Sequence, residues 1–270
     1  MTLVDTHAHL DSPEFDGEVP QLLDRAAAAG VTRILSVGTD GTSSRRALAL
    51  AERHPGVHAV VGWHPGHASE APQDLRAELR ALAAHPRVAA IGECGLDYYR
   101  LPSRVGTGGP GEDAAVKAQQ ARIFEQQLEV AGELGLNVVI HTREAWADTV
   151  AQFAPHAGRI RAVFHCFAGG PDELETVRRL GSLVSFTGIV TFKNGGAVRA
   201  ALAAAMPGGY MLETDCPYLA PEPHRGRRCE PAHVRPIAER AAEVTGRPLE
   251  AVAAETSRTA ESFFRGLGRG

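Results

Sequence analysis

The amino-acid sequence predicts an α/β fold, a (β/α)8 barrel of the TIM type that forms a single domain over residues 1–270. Short runs of aliphatic and β-branched residues alternate along the chain with longer segments of helical period. Eight strand candidates are present, and a barrel of eight strands typically takes about 250 residues. A doubly wound open sheet is the alternative, but no G-x-G-x-x-G fingerprint follows the first strand.

Each predicted strand is a short run rich in Val, Ile, Leu, Phe or Ala. The candidates are Leu3–His7, Arg33–Val37, His58–Trp63, Val88–Cys94, Asn137–His141, Arg161–Cys166, Leu183–Phe186 and Tyr210–Thr214. The predicted helices repeat apolar residues at helical spacing. They are Val19–Ala29, Ser43–Arg53, Asp74–Ala84, Ala115–Leu134, Glu144–Phe153, Pro171–Leu180, Pro231–Thr245 and Pro248–Arg265. This order predicts a parallel sheet with helices packed outside it.

One polar segment interrupts the alternation after the fourth strand. Residues 101–113 read L-P-S-R-V-G-T-G-G-P-G-E-D, and this Gly/Pro-rich composition favours a loop. We expect a flexible insertion there. It either covers the site as a flap or has no function of its own.

The composition is that of an ordinary globular protein, with 44% hydrophobic and 22% charged residues. The first residues do not resemble a secretory signal, and no uncharged apolar stretch approaches the ~20 residues of a membrane helix. Four cysteines are too few and too scattered for a disulfide framework. We therefore expect a reduced, cytoplasmic protein, and we favour a monomer.

The charge balance limits how the chain can bind nucleic acid. The formal net charge is −4, whereas general nucleic-acid binding normally requires a strong basic patch. Any contact with phosphate groups must therefore come from a few local cations.

Histidines and acidic residues stand where the predicted strands end. His7 and His9, in V-D-T-H-A-H-L-D, are two residues apart and point to the same face of a strand. The other polar residues at or just after strand ends are His64, Glu93, His141, His165 and Asp215. In a barrel these ends surround one mouth, which is where active sites of this fold lie.

Buried polar groups need partners, because each unpaired group costs several kcal/mol. A hydrogen-bond network is one solution, but these side-chain types also suit a divalent metal such as Mg²⁺, Mn²⁺ or Zn²⁺. We predict one or two such ions, with the ligands His7, His9, Glu93, His141, His165 and Asp215. Six ligands exceed one tetrahedral site and suit two ions ~3.5–4 Å apart. In this hypothesis Glu93 bridges, His7, His9 and Asp215 complete one site, and His141 and His165 complete the other.

Three cysteines directly follow predicted ligands, namely Cys94, Cys166 and Cys216. Strand alternation is expected to turn them away from the mouth and towards the helices. A cysteine in that position behaves as a small hydrophobic residue, so we do not expect these thiols to bind the metal.

These residues lie in stretches that resemble the TatD family of metal-dependent hydrolases. The matching stretches are D-T-H-A-H-L-D, G-W-H-P, G-E-C-G-L-D-Y-Y-R, I-H-T-R-E-A, F-H-C-F-A-G, S-F-T-G-I-V-T-F-K, E-T-D-C-P-Y-L-A-P and H-R-G-R-R-C-E-P. They occur in family order over nearly the whole chain. The resemblance implies a (β/α)8 barrel, one or two divalent ions and hydrolysis of DNA phosphodiesters, often as a 3′–5′ exonuclease.

The chain departs from the family pattern at two places. Cys229 stands in R-G-R-R-C-E-P where the family typically has Asn, which puts in doubt a polar contact that the resemblance implies near the mouth. The insertion after Arg100 is longer than expected and is predicted to reshape substrate access.

We predict that Asp215, Glu93, His64 and Glu213 are the catalytic residues. Asp215 is expected both to hold a metal and to accept the proton of the attacking water. His64 is expected to orient the substrate or to protonate the leaving oxygen, outside the ligand set. Glu213 is expected to hold a ligand histidine from behind.

The residues predicted to bind substrate are Arg143, Lys193, Arg225, Asp97 and Tyr98. The three cations would contact phosphate, since guanidinium groups suit phosphate oxygens. Asp97 would line the pocket, and Tyr98 or its neighbour Tyr99 would stack on a base. Arg227 and Arg228 are better explained as surface charges.

The predicted reaction is metal-dependent hydrolysis of DNA at single strands or ends, as a 3′–5′ exodeoxyribonuclease. One alternative is an amidohydrolase-type enzyme acting on a lactone, an amide, a phosphotriester or the ester of a mischarged aminoacyl-tRNA. Related small-molecule barrels commonly carry a bridging modified lysine, but neither Lys117 nor Lys193 ends the fourth strand. A second alternative is a non-enzymatic barrel that binds metal or docks a partner.

Overall fold

Eight parallel strands form one nearly closed barrel, which confirms the predicted fold class. The computed structural model describes residues 1–268. The strands are β1 (Leu3–Ala8), β2 (Val31–Val37), β3 (Val57–Val61), β4 (Val88–Asp97), β5 (Val138–Arg143), β6 (Ala162–Phe164), β7 (Leu183–Phe186) and β8 (Tyr210–Leu212). Their order in the sheet follows the chain, and every hydrogen-bonded pair is parallel.

Helices connect the strands and cover the outside of the barrel. They are α1 (Val19–Ala28), α2 (Gly41–Arg53), α3 (Arg76–Ala83), α4 (Pro102–Val105), α5 (Pro110–Leu134), α6 (Trp146–Phe153), α7 (Pro171–Arg179), α8 (Gly196–Ala204), α9 (Val234–Thr245) and α10 (Leu249–Phe263). Among the described residues, none of these helices combines the length and the apolar character needed to cross a membrane.

Buried apolar side chains fill the barrel interior below the mouth. Side chains from different strands, including Val4, Val60 and Met211, form one buried cluster with Phe263 and Phe264 at the end of the last helix. This packing excludes water from the barrel interior and gives the site a rigid floor.

Hydrogen bonds join β1 to the segment that follows β8, where the barrel closes through an isolated bridge between Ala8 and Cys216. The Asp215 N–H donates to the His7 carbonyl at 2.9 Å, and the His9 N–H donates to the Cys216 carbonyl at 2.8 Å. Buried Asp5 accepts a bond from the Thr214 N–H at 2.9 Å, and its other oxygen lies 2.6 Å from Thr214 Oγ1. These contacts place the end of β1 beside the segment that follows β8.

Helix α5 holds the mouth ends of β3 and β4 through two buried glutamines. Gln127 accepts from the Trp63 N–H at 2.8 Å and donates to the Trp63 carbonyl at 2.9 Å. Gln120 makes the same pair of bonds to the backbone of Asp97, both at 2.9 Å. The glutamine side chains thus fix two residues that border the site.

The predicted loop at 101–113 is largely helical. Pro102 begins α4, Gly106 ends it in the left-handed conformation, and Pro110 begins α5. Proline is well suited to the first helical position because its missing N–H has no partner there anyway. The Ser103 N–H donates to Asp113 at 2.9 Å, and Arg104 pairs with Glu144.

Other differences concern the lengths of elements. The sequence did not predict α8, because the glycines at its start mask the helical pattern that follows. Strand β4 continues three residues beyond Cys94 and pairs with β5 as far as Asp97 and Arg143. Strands β6 and β8 are shorter than predicted, so Glu213 lies beyond the last strand rather than in it.

His58 in β3 is expected to make stability depend on pH. Burial, helped by the nearby Arg87, lowers its pKa from 6.5 to about 4. Because the unfolded chain binds this proton more readily, the free energy of unfolding should fall by about 2–3 kcal/mol as the pH drops from about 6.5 to about 4. Urea unfolding across this range should show a shallower pH dependence for His58→Gln. Equal slopes for the two proteins would contradict this assignment.

Candidate metal centre

Glu93 lies at the centre of the histidine cluster, and its two carboxylate oxygens face different histidines. Oε2 lies 3.4 Å from His7 Nε2 and 3.7 Å from His9 Nε2. Oε1 lies 2.7 Å from His165 Nε2 and 2.9 Å from His141 Nδ1. The carboxylate thus separates the four histidines into the two pairs that the sequence predicts.

The backbone around Glu93 explains how a residue inside a strand points into the mouth. Gly92 and Gly95 have φ of 141° and 132°, which L side chains rarely adopt. A Cβ at Gly92 would lie 2.7 Å from the Val139 carbonyl oxygen, and a Cβ at Gly95 would overlap that of His141. The β4–β5 register shifts between Ile91 and Cys94. This irregularity sets the direction of the Glu93 side chain.

Hydrogen bonds to outer nitrogens fix two histidines in the tautomer suited to a ligand. His9 Nδ1 lies 2.9 Å from the Val37 carbonyl oxygen, which can only accept, so His9 Nε2 offers its lone pair to the cluster. His141 Nε2 lies 3.2 Å from Asp97 Oδ2, which directs its Nδ1 towards Glu93. A carbonyl or carboxylate behind a histidine is the usual arrangement at metal sites.

His7 carries the clearest sign that a partner belongs in the cluster. It is fully buried, and neither of its ring nitrogens has a hydrogen-bond partner in the described part of the chain. An unpaired buried polar group is costly, and a metal ion that takes the lone pair of one nitrogen removes much of that cost. The donor set fits a divalent metal on the same grounds, since it combines four imidazoles with two carboxylates.

Asp215 closes the cluster from the β8 side. Its Oδ1 lies 3.5 Å from His9 Nε2 and 3.8 Å from His7 Nε2, and His7, His9 and Asp215 are close enough to share one ion. Glu93, His141 and His165 form a second such group. Asp215 has a positive φ of 59°, an uncommon conformation that turns its carboxylate towards the mouth.

Glu213 lies below the cluster, but its strongest contact is to the main chain. Its Oε1 accepts from the Cys166 N–H at 2.6 Å and lies 3.6 Å from His165 Nδ1, which is too long for a hydrogen bond. Glu213 therefore fixes the turn that carries His165 rather than bonding its imidazole. This differs from the predicted direct support.

His64 begins a short 3-10 helix beyond β3 and faces Glu93. Its Nδ1 accepts from the Gly66 N–H at 2.9 Å, which leaves the proton on Nε2, 3.6 Å from Glu93 Oε1. Burial lowers the His64 pKa to about 3. A neutral imidazole supports the predicted orienting role and disfavours protonation of the leaving oxygen by an imidazolium.

The cluster stabilises its own carboxylates in the ionised form. Burial alone would raise the pKa of Glu93, but the positive charge of the neighbouring His165 outweighs burial and holds it well below the usual range. The pKa of Asp215 is lowered for the same reason, with His9 as its main partner. Both groups are therefore available as anionic ligands.

Two exposed arginines at the mouth stack on aromatic rings. The Arg143 guanidinium lies 3.6 Å from the centroid of the Tyr99 ring, and that of Arg225 lies 3.8 Å from the centroid of Phe192. Among the described residues neither arginine pairs with a carboxylate, and nor does Lys193. Arg228, by contrast, pairs with Glu18 at 2.6 Å, as expected of a surface charge.

Two predicted substrate contacts have other partners. The Tyr98 side chain is 8% exposed and donates its hydroxyl hydrogen bond to Asp148 at 2.8 Å, so it is packed into the protein rather than presented to a base. The exposed ring is that of Tyr99. Asp97 contacts His141 and accepts a hydrogen bond from the Tyr99 N–H instead of lining an open pocket. This is the position of a carboxylate that orients a ligand histidine.

The cysteines next to the ligands are not positioned as metal ligands. Cys94 and Cys216 are fully buried, and Cys166 lies 3.7 Å from Thr187 Oγ1. Burial raises the pKa of all three thiols, so they remain protonated.

Comparison with known proteins agrees with this geometry. The family model described as TatD related DNase matches residues 4–265. The chain belongs to the TatD-related DNase family. The uncharacterized metal-dependent hydrolase YabD of Bacillus subtilis is 34% identical over 264 residues, which cover 97% of this chain and 99% of YabD. The 3'-5' ssDNA/RNA exonuclease TatD of Pantoea vagans is 36% identical over 270 residues, with 97% and 99% covered.

Solved structures give the same result. The crystal structure of YjjV, a TatD homologue from Escherichia coli, matches with a TM-score of 0.87 at 27% identity and 97% coverage of each chain. The resemblance predicted from the sequence motifs is thus confirmed. The protein is a TatD-family metal-dependent hydrolase, and its barrel carries residues able to bind a divalent metal.

In this TatD-family site, Asp97 is expected to position His141. Asp97→Ala removes the acceptor of the Nε2 proton, so the ring loses its fixed tautomer and orientation. Loss of such a partner typically lowers metal affinity about 10–100-fold. Competition with a chromophoric chelator would measure this. Asp97→Asn, which keeps an acceptor oxygen, should lose less, and unchanged affinity in Asp97→Ala would contradict the assignment.

Proposed function

We propose that the protein hydrolyses phosphodiester bonds at the ends of single-stranded nucleic acid, first of all as a 3′–5′ exodeoxyribonuclease. The observation that carries this proposal is the position of Glu93, whose two oxygens face two separate groups of histidines. Two divalent ions (Mg²⁺, Mn²⁺ or Zn²⁺) sharing one carboxylate are a common arrangement for phosphodiester hydrolysis.

The ligand assignment follows the two groups of side chains. His7, His9 and Asp215 would hold one ion, His141 and His165 the other, and Glu93 both. Divalent ions in such a site supply a hydroxide nucleophile near neutral pH and offset charge on the phosphoryl oxygens.

Asp215 is the residue best placed to accept a proton from the attacking water. Its side chain is 14% exposed, more than that of Glu93 at 3%, so it borders the open mouth. Its lowered pKa keeps the carboxylate ionised. His64 carries its proton on Nε2, 3.6 Å from Glu93 Oε1, and would orient the substrate there.

The cations around the mouth favour binding of a strand end rather than the flank of a duplex. The cations proposed to bind phosphate are few, namely Arg143, Lys193 and Arg225, and the chain has a net charge of −4. Long duplex contacts usually need many phosphate-neutralising residues. Three cations around a recessed cluster can instead guide one strand into the mouth.

The relatives give independent support. TatD of Pantoea vagans is named a 3'-5' ssDNA/RNA exonuclease, although YabD of Bacillus subtilis has no named substrate. We also propose a cytoplasmic monomer. All four cysteines are unpaired, which is typical of a reducing compartment, and light scattering would test for a mass of 28.6 kDa.

The test is hydrolysis of single-stranded oligonucleotides labelled at the 3′ or the 5′ end, with Mg²⁺ or Mn²⁺ and with chelator. We expect metal-dependent shortening, with the two labels giving its direction. A duplex of the same sequence should be a poorer substrate, and closed circular DNA should stay intact. No shortening with any metal, together with turnover of a lactone or an aminoacyl ester, would replace the nuclease proposal with the amidohydrolase alternative.

A further inference from the structure

Two exposed tyrosines lie beside the cluster of histidines and carboxylates. Among the described residues, Tyr218 (57% exposed) and Tyr99 (45%) are the aromatic side chains most open to solvent. Tyr99 follows β4 and Tyr218 follows β8, so both lie at the carboxyl ends of the strands. Exposed aromatic rings at a binding mouth suit flat, apolar ligands such as nucleobases.

The backbone holds Tyr218 firmly next to a ligand. Its N–H donates to the Asp215 carbonyl at 3.0 Å, and the Cys229 N–H donates to the Pro217 carbonyl at 3.0 Å. The Tyr218 ring lies 6.2 Å from the His9 ring at an interplanar angle of 67°. The side chain therefore stands at the border of the cluster while most of its ring remains in solvent.

The two tyrosines differ in what already occupies their faces. One face of Tyr99 is covered by the Arg143 guanidinium at 3.6 Å. Within the described residues, Tyr218 has no cation stacked on it, and its hydroxyl makes no hydrogen bond. Tyr218 is thus the ring that is both free and adjacent to Asp215.

We propose that Tyr218 is a stacking platform for the nucleobase next to the scissile phosphodiester at a strand end. This inference rests on the proposed function and extends it to a base-binding subsite. Stacking tolerates any base, because every base presents a π-face. The subsite would therefore give preference for a strand end with an intact base, without selecting sequence.

The test removes the ring and the base separately. Metal-loaded protein would be titrated with fluorescent single-stranded oligonucleotides that carry a phosphorothioate at the last bond. One oligonucleotide of each pair has an intact terminal nucleotide and the other has an abasic terminal nucleotide. One such pair is made for the 3′ end and a second pair for the 5′ end. We expect wild type to bind the intact end about 5- to 100-fold more tightly than the abasic end.

The variants then separate stacking from other roles. Tyr218→Ala should lose that preference and bind both ends alike, while Tyr218→Phe should keep most of it because the ring remains. Met206→Ala, the matched control, removes an exposed apolar side chain that precedes β8, whereas Tyr218 follows it, and should keep the preference. A preference retained by Tyr218→Ala would overturn the proposal, and so would a Tyr218→Phe variant as weak as Tyr218→Ala, since the hydroxyl would then be responsible.

The outcome also distinguishes this inference from the proposed function. If wild type neither binds nor shortens any single strand, the nuclease proposal fails and the subsite with it. If wild type shortens single strands and Tyr218→Ala keeps the base preference, only the subsite fails. Thermal unfolding of each variant should match wild type, because the replaced side chain is largely in solvent.

Discussion

Replacing Glu93 with glutamine is expected to lower kcat/KM on single-stranded DNA by about 10³-fold or more. The neutral amide cannot supply an anionic oxygen to each of two ions. One of these ions would be held by His7 and His9 and the other by His141 and His165. Charge stabilisation by metal ions is worth several kcal/mol, and about 4 kcal/mol corresponds to 10³-fold in rate. Steady-state hydrolysis with saturating Mn²⁺ measures this loss.

A matched variant separates the loss of the bridge from general damage. Glu133→Gln makes the same chemical change on the surface of α5, where Glu133 pairs with Arg80. Exposed ion pairs contribute little to stability, so this variant should retain wild-type activity. Activity of Glu93→Gln within tenfold of wild type would be incompatible with a bridging carboxylate.

Replacing Asp5 with alanine is expected to destabilise the barrel by about 3 kcal/mol, because it leaves buried polar groups of Thr214 without partners. Asp5 and Thr214 share two close contacts, and Asp5 also accepts a weaker bond from the His7 N–H at 3.3 Å. Thr214 directly precedes Asp215, so the loss falls where β1 meets the end of β8. Urea unfolding followed by circular dichroism gives the change in free energy.

Two further substitutions at this junction calibrate the effect. Asp5→Asn keeps an oxygen that accepts from the Thr214 N–H and should lose no more than about 1 kcal/mol. Thr214→Val removes only the hydroxyl and should fall between the two. An Asp5→Ala protein as stable as wild type would show that the junction is held by backbone pairing alone.

Much of the site followed from the sequence because a parallel barrel brings the carboxyl ends of all its strands together. Polar residues such as His7, His141 and His165 interrupt apolar runs, so their convergence could be predicted without knowing any distance. The sequence also predicted that Glu93 lies between histidines, because Glu93 comes from a strand midway around the barrel. The division of the ligands between two ions remains a prediction.

The parts that did not follow depend on orientation rather than position. Tyr98 and Tyr99 are adjacent, and only the structure shows that Tyr98 turns inward to Asp148 while Tyr99 remains exposed. Asp97 was expected in the pocket, but β4 continues far enough to place it behind His141. Tyr218 was not predicted, since a tyrosine after D-C-P gives no sign of whether its ring is buried.

Helices were missed for a different reason. Glycine and proline normally indicate loops, yet in 101–113 they occupy helix-terminal positions, where Pro102 and Pro110 begin helices and Gly106 ends one. The glycines and prolines of this segment therefore correctly indicated where helices begin and end, but the prediction of one continuous loop was wrong. Its flexibility remains a prediction.

The most direct test of the central claim is an anomalous-scattering map from crystals of the Mn²⁺-loaded protein. We predict two metal peaks, one contacted by His7, His9 and Asp215 and the other by His141 and His165, with Glu93 contacting both. A single peak, or peaks that Glu93 does not contact, would contradict a two-ion centre built around this carboxylate.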